Sequence, residues 1–92
     1  MKVKVLKPQK TVYTSETKEM TLEIDGKVYV IRQHEDDNHG ENWVSINDEP
    51  FMETYEMEDG ELRDLLDESC NLIRSGIFDN EGEEMDSSEI LS

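Results

Sequence analysis

The side chains best placed to do chemistry in this 92-residue chain are carboxylates that crowd one short stretch. Residues 53–68 carry eight acidic side chains and one basic one. Acid–base catalysis would need a carboxyl group whose pKa is raised by an apolar pocket, whereas these residues stand in a polar run. A row of ionised carboxylates favours binding of a positively charged partner instead. The predicted partner-binding residues are Glu53, Glu56, Glu58, Asp59, Glu61, Asp64, Asp67 and Glu68.

Two histidines beside acidic residues are the candidate metal ligands. His34 and His39 flank the acidic residues 35–37. Their spacing does not match the one-turn helical spacing of zinc motifs, and a calcium-loop register would put Ile46 where a bidentate Glu is required. A solvated turn is the favoured interpretation. The sequence therefore predicts no metal and no other cofactor.

A single thiol, Cys70, is the candidate nucleophile. The apolar spacing around it places it on the inner side of a predicted helix, where a buried and unreactive thiol is the ordinary outcome. The chain has no Gly-x-Ser-x-Gly motif and no phosphate-binding glycine loop. Together these observations predict a protein that is not an enzyme.

The balance of charge points to a binding function. The chain holds 24 acidic and 9 basic residues, for a net charge of −15. Residues 1–34 carry a net charge of +3 and residues 35–92 a net charge of −18, an asymmetry that indicates an interaction surface. The net charge of −15 argues against direct binding to nucleic acid or to an anionic membrane. The lone cysteine, and the lack of a signal-peptide pattern or an apolar run of spanning length, predict a cytoplasmic protein.

The N-terminal part of the chain is predicted to form short strands. Val3 and Val5 alternate with lysines and predict a short strand, which Pro8 either ends or marks as an edge strand. The β-rich residues 11–14 either extend this strand or begin a second one. Two β-rich runs follow, over residues 20–24 and 28–31, joined by an Asp-Gly pair that favours a type I′ hairpin turn. The sequence thus predicts a small antiparallel sheet.

A polar loop is expected over residues 33–42, and a third hairpin strand over residues 42–47. Alternation along that strand places Val44 and Ile46 on one face and Trp43 on the other.

One helix and a tail complete the prediction. Residues 61–74 have the apolar spacing of an amphipathic helix, with Asp59 as its N-cap. Residues 79–92 hold six acidic residues and little apolar surface, which predicts a mobile acidic tail. The predicted fold is a single α+β domain over residues 1–78, an antiparallel sheet with one amphipathic helix packed on it, followed by a disordered tail over residues 79–92.

In size, composition and its carboxylate row, the chain resembles the small acidic DNA-mimic proteins with which phages disable host nucleic-acid-binding proteins. Helical carboxylates three or four residues apart lie roughly 5–6 Å from one another, and duplex DNA carries about one negative charge per 1.7 Å of its axis. These mimics share no sequence motif, so no residue is transferred by alignment. Their targets include the histone-like protein HU, restriction enzymes, uracil-DNA glycosylase, RNA polymerase and CRISPR nucleases.

The resemblance implies a protein of the host-cell cytoplasm that occupies the basic DNA-binding surface of a host protein, with HU as the favoured target, and blocks DNA binding. Two other functions stay open. An antitoxin or immunity protein that inhibits a basic nuclease would be similarly small and acidic. An adaptor or structural protein would bind through a sheet edge or Trp43, and its binding would resist salt. A homodimer is compatible with each.

Overall fold

The computed structural model shows a six-stranded antiparallel sheet with helices packed on it. The structure describes residues 1–12, 16–36, 38–50 and 60–91. The strand order is β5-β4-β3-β2-β1-β6. The strands are β1 (Lys2–Thr11), β2 (Thr17–Ile24), β3 (Lys27–Asp36), β4 (Glu41–Ile46), β5 (Glu49–Pro50) and β6 (Glu84–Asp86), and the helices are α1 (Glu61–Asn71) and α2 (Ser87–Leu91). The α+β class is as predicted. Within the described ranges, no helix has the length and apolar character needed to cross a membrane.

Two tight turns with positive φ connect β2 to β3 and β4 to β5. Asp25 and Gly26 have φ values of 49° and 85°, which confirms the predicted hairpin with positive φ at both central residues. Asn47 and Asp48, with φ values of 53° and 65°, make a second such turn between β4 and β5. The side-chain oxygen of Asn47 also accepts a 2.9 Å hydrogen bond from the backbone of Val30, which ties this second turn to β3.

The core lies between the sheet and the helices. Alternate residues of the strands point inward and meet the apolar side of α1, where Leu65 and Leu66 are fully buried. The predicted alternation in β4 is confirmed, since Ile46 is buried and Trp43 is 44% exposed. The buried apolar residues are Val3, Val5, Met20, Leu22, Ile24, Tyr29, Ile31, Ile46, Leu65, Leu66, Cys70, Ile73, Phe78, Met85 and Ile90.

Of the two predicted outcomes for the first strand, the structure shows the longer one, because the strand passes through Pro8 and continues to Thr11. Its pairing with β2 shifts register between Val5 and Lys7 and again between Lys7 and Lys10. Proline has no N–H to give to a ladder, and an irregular stretch of strand accommodates it. The strand on its other side, β6, pairs only with residues 2–4.

The predicted polar loop over residues 33–42 is mostly strand. β3 extends to Asp36 and β4 begins at Glu41, so only a short turn separates them. The carboxylate of Asp36 accepts hydrogen bonds from the backbone N–H groups of Asn38 (3.0 Å) and His39 (3.2 Å). A side chain that satisfies the backbone of a turn in this way allows a short connection between two polar strands.

The helix α1 is shorter than predicted. It ends at Asn71 rather than residue 74, and Gly60 rather than Asp59 takes the N-cap position. Arg74 folds back onto the sheet instead, where its Nε donates a 3.0 Å hydrogen bond to Gln33 and its terminal nitrogen donates to the backbone carbonyl of Glu16. These hydrogen bonds hold Arg74 against the sheet, outside the helix.

The prediction of a mobile tail is wrong for residues 84–91. Residues 84–86 form β6, which pairs antiparallel with β1, and α2 follows it directly. Met85 and Ile90 are 8% and 4% exposed and belong to the same core as Phe78. Burial of these two apolar side chains offsets the conformational entropy that is lost when this acidic segment becomes ordered. The described fold therefore contains two helices instead of one.

Candidate acidic interface

Four of the eight predicted partner-binding residues lie on α1: Glu61, Asp64, Asp67 and Glu68. The other four, Glu53, Glu56, Glu58 and Asp59, lie outside the described residues. Because α1 buries Leu65, Leu66, Ser69 and Cys70, its opposite side faces solvent and carries the carboxylates.

Three of these carboxylates form no ion pair with any described residue. Asp64 and Asp67 are exposed and Glu68 is half-buried. In the part of the chain that the structure describes, no cationic group forms an ion pair with any of the three. We call Asp64, Asp67 and Glu68 the α1 acidic surface.

Glu61 has a different role from its neighbours. Its Oε1 accepts a 2.7 Å hydrogen bond from the hydroxyl of Ser87 and lies 3.9 Å from the ammonium group of Met1. That ammonium group also donates to the Ser87 hydroxyl at 3.1 Å. Glu61 therefore joins α1 to α2 and to the start of β1, and its carboxylate serves the fold.

Carboxylates of the C-terminal segment also serve the fold. Asp86 caps α2 by accepting a 3.0 Å hydrogen bond from the N–H of Ser88, and Glu89 accepts a 2.7 Å bond from the N–H of Asp86. This reciprocal arrangement is a capping box. The backbone N–H of Ser88 is the main reason that the pKa of Asp86 lies below its usual value. The Asp-x-x-Glu spacing was a sequence signal for this short helix.

Basic residues concentrate on the face of the sheet turned away from α1, where acidic residues stand beside them. In the strand register, Lys4 lies between Glu23 of β2 and Glu84 of β6. Arg32 donates to the carboxylate of Glu19 at 2.5 Å and pairs with Asp48. Arg32 therefore pairs with carboxylates of other elements of the sheet, whereas the carboxylates of the α1 acidic surface form no ion pair with a described residue.

The two histidines occupy unlike settings. His34 is buried, its Nδ1 lies 2.8 Å from the hydroxyl of Thr17, and its ring stacks on Trp43 with centroids 5.4 Å apart. His39 is exposed and its Nδ1 lies 2.9 Å from Asp36, a contact that lowers the pKa of that carboxyl. No group of three or more potential metal ligands occurs among the described residues, a set that does not include Asp37.

The thiol of Cys70 is buried, as the helical spacing predicted. Only 6% of the residue is exposed. Burial, with a smaller effect of the charge on Asp67, raises the thiol pKa to about 12. Cys70 is therefore protonated at neutral pH and a poor nucleophile.

A groove between α1 and the strands β3 and β4 was not predicted. It consists of two adjoining cavities, of about 310 Å³ and about 260 Å³. Arg74 and Glu35 line the larger, and Trp43 and Asp67 line the smaller. Both are lined by Gln33, Asn42, Val44, Cys70 and Asn71. These residues come from distant parts of the sequence, so no local pattern marks them.

No protein-family model, curated protein or solved structure matches the chain. The function is therefore inferred from the residues and their geometry.

Proposed function

We propose that this chain is an acidic DNA mimic that occupies the basic DNA-binding surface of a host nucleic-acid-binding protein and blocks its binding to DNA. The histone-like nucleoid protein HU is the first target to test. One observation carries the proposal: Asp64, Asp67 and Glu68 lie together on one packed helix and form no ion pair with any described residue. Repulsion among uncompensated carboxylates opposes folding, so a role outside the fold accounts for them.

The rigidity of α1 supports this role. Leu65 and Leu66 are fully buried beneath the helix, so the backbone that carries Asp64 and Asp67 is fixed before any partner arrives. Neighbouring carboxylates on this surface are roughly 5–6 Å apart at their Cβ atoms. A preorganised row of charge lowers the entropic cost of association. It also favours fast, salt-sensitive encounter with a basic groove.

Inhibition of this kind is stoichiometric and needs neither a catalytic group nor a cofactor. The chain would act in the cytoplasm of the host cell, where its target meets DNA. It would contact the target protein and not the nucleic acid, because both the α1 acidic surface and DNA are negatively charged.

A displacement assay tests the proposal. Fluorescence anisotropy of a labelled duplex bound to HU should fall as the full chain is added, while the chain alone leaves the anisotropy of the free duplex unchanged. Inhibition should weaken steeply between low and physiological salt, since exposed charge pairs are screened. A ternary complex of chain, HU and DNA would contradict DNA mimicry.

Two other outcomes would identify the alternatives. Inhibition confined to a basic nuclease would favour an antitoxin or immunity function. The 44% exposure of Trp43 favours an adaptor function, and a protein complex that survives high salt but is lost in Trp43→Ala would support that function over DNA mimicry.

A further inference from the structure

The smaller cavity of the groove combines an aromatic ring, a carboxylate and two amides. The residues that line it include Trp43, His34, Asp67, Asn42 and Asn71. Among the described residues that line it, none is Lys or Arg. The cavity therefore brings together an aromatic residue and residues with acceptor groups, and contains no described Lys or Arg.

In the larger cavity, a similar set of oxygen acceptors already binds a guanidinium group of this chain. There the guanidinium of Arg74 donates a 3.0 Å hydrogen bond to the side-chain oxygen of Gln33, and its Nε lies 3.6 Å from the carboxylate of Glu35. A further nitrogen donates to the backbone carbonyl of Glu16. Amide, carboxylate and carbonyl oxygens thus already bind one guanidinium at one end of the groove.

The ring of Trp43, which lines the smaller cavity, is held in place by its contact with His34. The ring of Trp43 stacks on His34 with an interplanar angle of 15°, and His34 is fixed by its contact with Thr17. An indole immobilised in this way presents a defined surface to a cation, and Trp is the best of the aromatic side chains for cation–π contacts.

We propose that the cavity lined by Trp43 and Asp67 binds an arginine side chain of the protein partner. The inference rests on the proposed function only in requiring a partner with a basic surface. Asp67 supplies the opposite charge, Asn42 and Asn71 supply amide oxygens, and the indole supplies a stacking surface. A planar guanidinium with five donors can use all three kinds of contact, whereas the compact ammonium of lysine cannot stack in the same way.

Titration of the full chain with N-acetyl-arginine amide tests the pocket. Trp43 is the only tryptophan of the chain, so its fluorescence reports directly on the cavity. We expect a saturable change whose apparent affinity is about threefold or more tighter than that of N-acetyl-lysine amide. An unsaturable change, or equal affinity for the two probes, would overturn the proposal.

A matched pair of variants separates the pocket from general acidity. Asp67→Asn and Asp64→Asn remove the same charge from the same helix, but only Asp67 lines the cavity. Asp67→Asn should weaken binding of the arginine probe by about threefold or more, with Asp64→Asn close to the unaltered chain. Equal weakening by the two variants would overturn the pocket. NMR side-chain amide signals of Asn42 and Asn71 should shift with the arginine probe, and unmoved signals would also overturn it.

The pocket and the proposed function can fail separately. Displacement of DNA from HU without arginine binding would overturn the pocket and leave DNA mimicry intact. Arginine binding that depends on Asp67, without displacement of DNA from any basic DNA-binding protein, would support the pocket and overturn DNA mimicry.

Discussion

Two acidic regions of this molecule, residues 79–91 and α1, use their carboxylates differently. In residues 79–91, carboxylates accept hydrogen bonds from the chain itself, as Asp86 and Glu89 do at the start of α2. On α1, Asp64 and Asp67 point to solvent and have no ion-pair partner among the described residues. The contrast teaches that acidic composition alone does not distinguish carboxylates that build a fold from carboxylates that are left for a partner.

The C-terminal segment should carry the larger share of stability. Ile90→Ala is expected to lower the free energy of unfolding by about 2–5 kcal/mol, because Ile90 is only 4% exposed. Leu91→Ala is the matched control, since Leu91 is 38% exposed, and it should cost about 0.5 kcal/mol or less. Urea unfolding measures both. An Ile90→Ala variant as stable as the Leu91→Ala variant would show that residues 79–91 do not contribute to the core.

The α1 acidic surface should carry the larger share of binding. Neutralising it is expected to weaken displacement of DNA from HU by about tenfold or more, which corresponds to about 1.4 kcal/mol. The same number of neutralisations in the C-terminal segment should have a smaller effect. The paired variants are Asp64→Asn/Asp67→Asn/Glu68→Gln and Glu81→Gln/Glu83→Gln/Glu84→Gln. If both weaken displacement equally, total charge rather than the α1 acidic surface determines binding.

The capping carboxylate should give a pH-dependent contribution to stability. Hydrogen bonds from Ser88 hold the pKa of Asp86 below its usual 3.8. A lowered pKa in the folded state stabilises the fold above the unfolded-state value, and this stabilisation is lost as the pH falls through the folded-state value. Asp86→Ala should therefore reduce the melting temperature more at pH 7 than at pH 3, with Glu81→Ala as the exposed control. A difference that is the same at both pH values would contradict the cap.

The smallest expected effect is that of salt on the free chain. The melting temperature should rise slightly between low and physiological ionic strength, because screening reduces repulsion among the exposed carboxylates. The rise should be smaller in the variant with a neutralised α1 acidic surface. A melting temperature that does not respond to salt would show that repulsion on α1 costs the fold nothing.

Local signals in the sequence predicted the parts of the fold that local chemistry determines. Asp25 and Gly26 favour positive φ, and this preference was enough to predict the β2–β3 hairpin. The apolar spacing of α1 predicted its buried side and so the exposure of Asp64 and Asp67. Its C-terminal end was missed, because the acceptors for Arg74 lie on a strand that is remote in sequence.

Long-range pairing explains what was missed. Three residues of β6 form a strand only because β1 offers them an edge, and the buried side chains of Met85 and Ile90 are too few to signal a core element by themselves. The groove was missed for the same reason, since the residues that line it come from β3, β4 and α1 and share a cavity only in the folded chain. Half of the predicted partner-binding residues lie outside the described ranges, and the role of all eight in binding a partner stays a prediction.

The position of β6 beside β1 has a consequence for the order of folding. The strands from β1 to β4 join nearest neighbours in the sequence, a topology of low contact order that closes quickly. The pairing of β6 with β1 closes a loop of almost the whole described chain and must wait until residues 84–86 have been synthesised. Until then the free edge of β1 is exposed to other chains in the crowded cell. Charged edge residues discourage such pairing, and the part of β1 that β6 later covers carries two exposed lysines, Lys2 and Lys4.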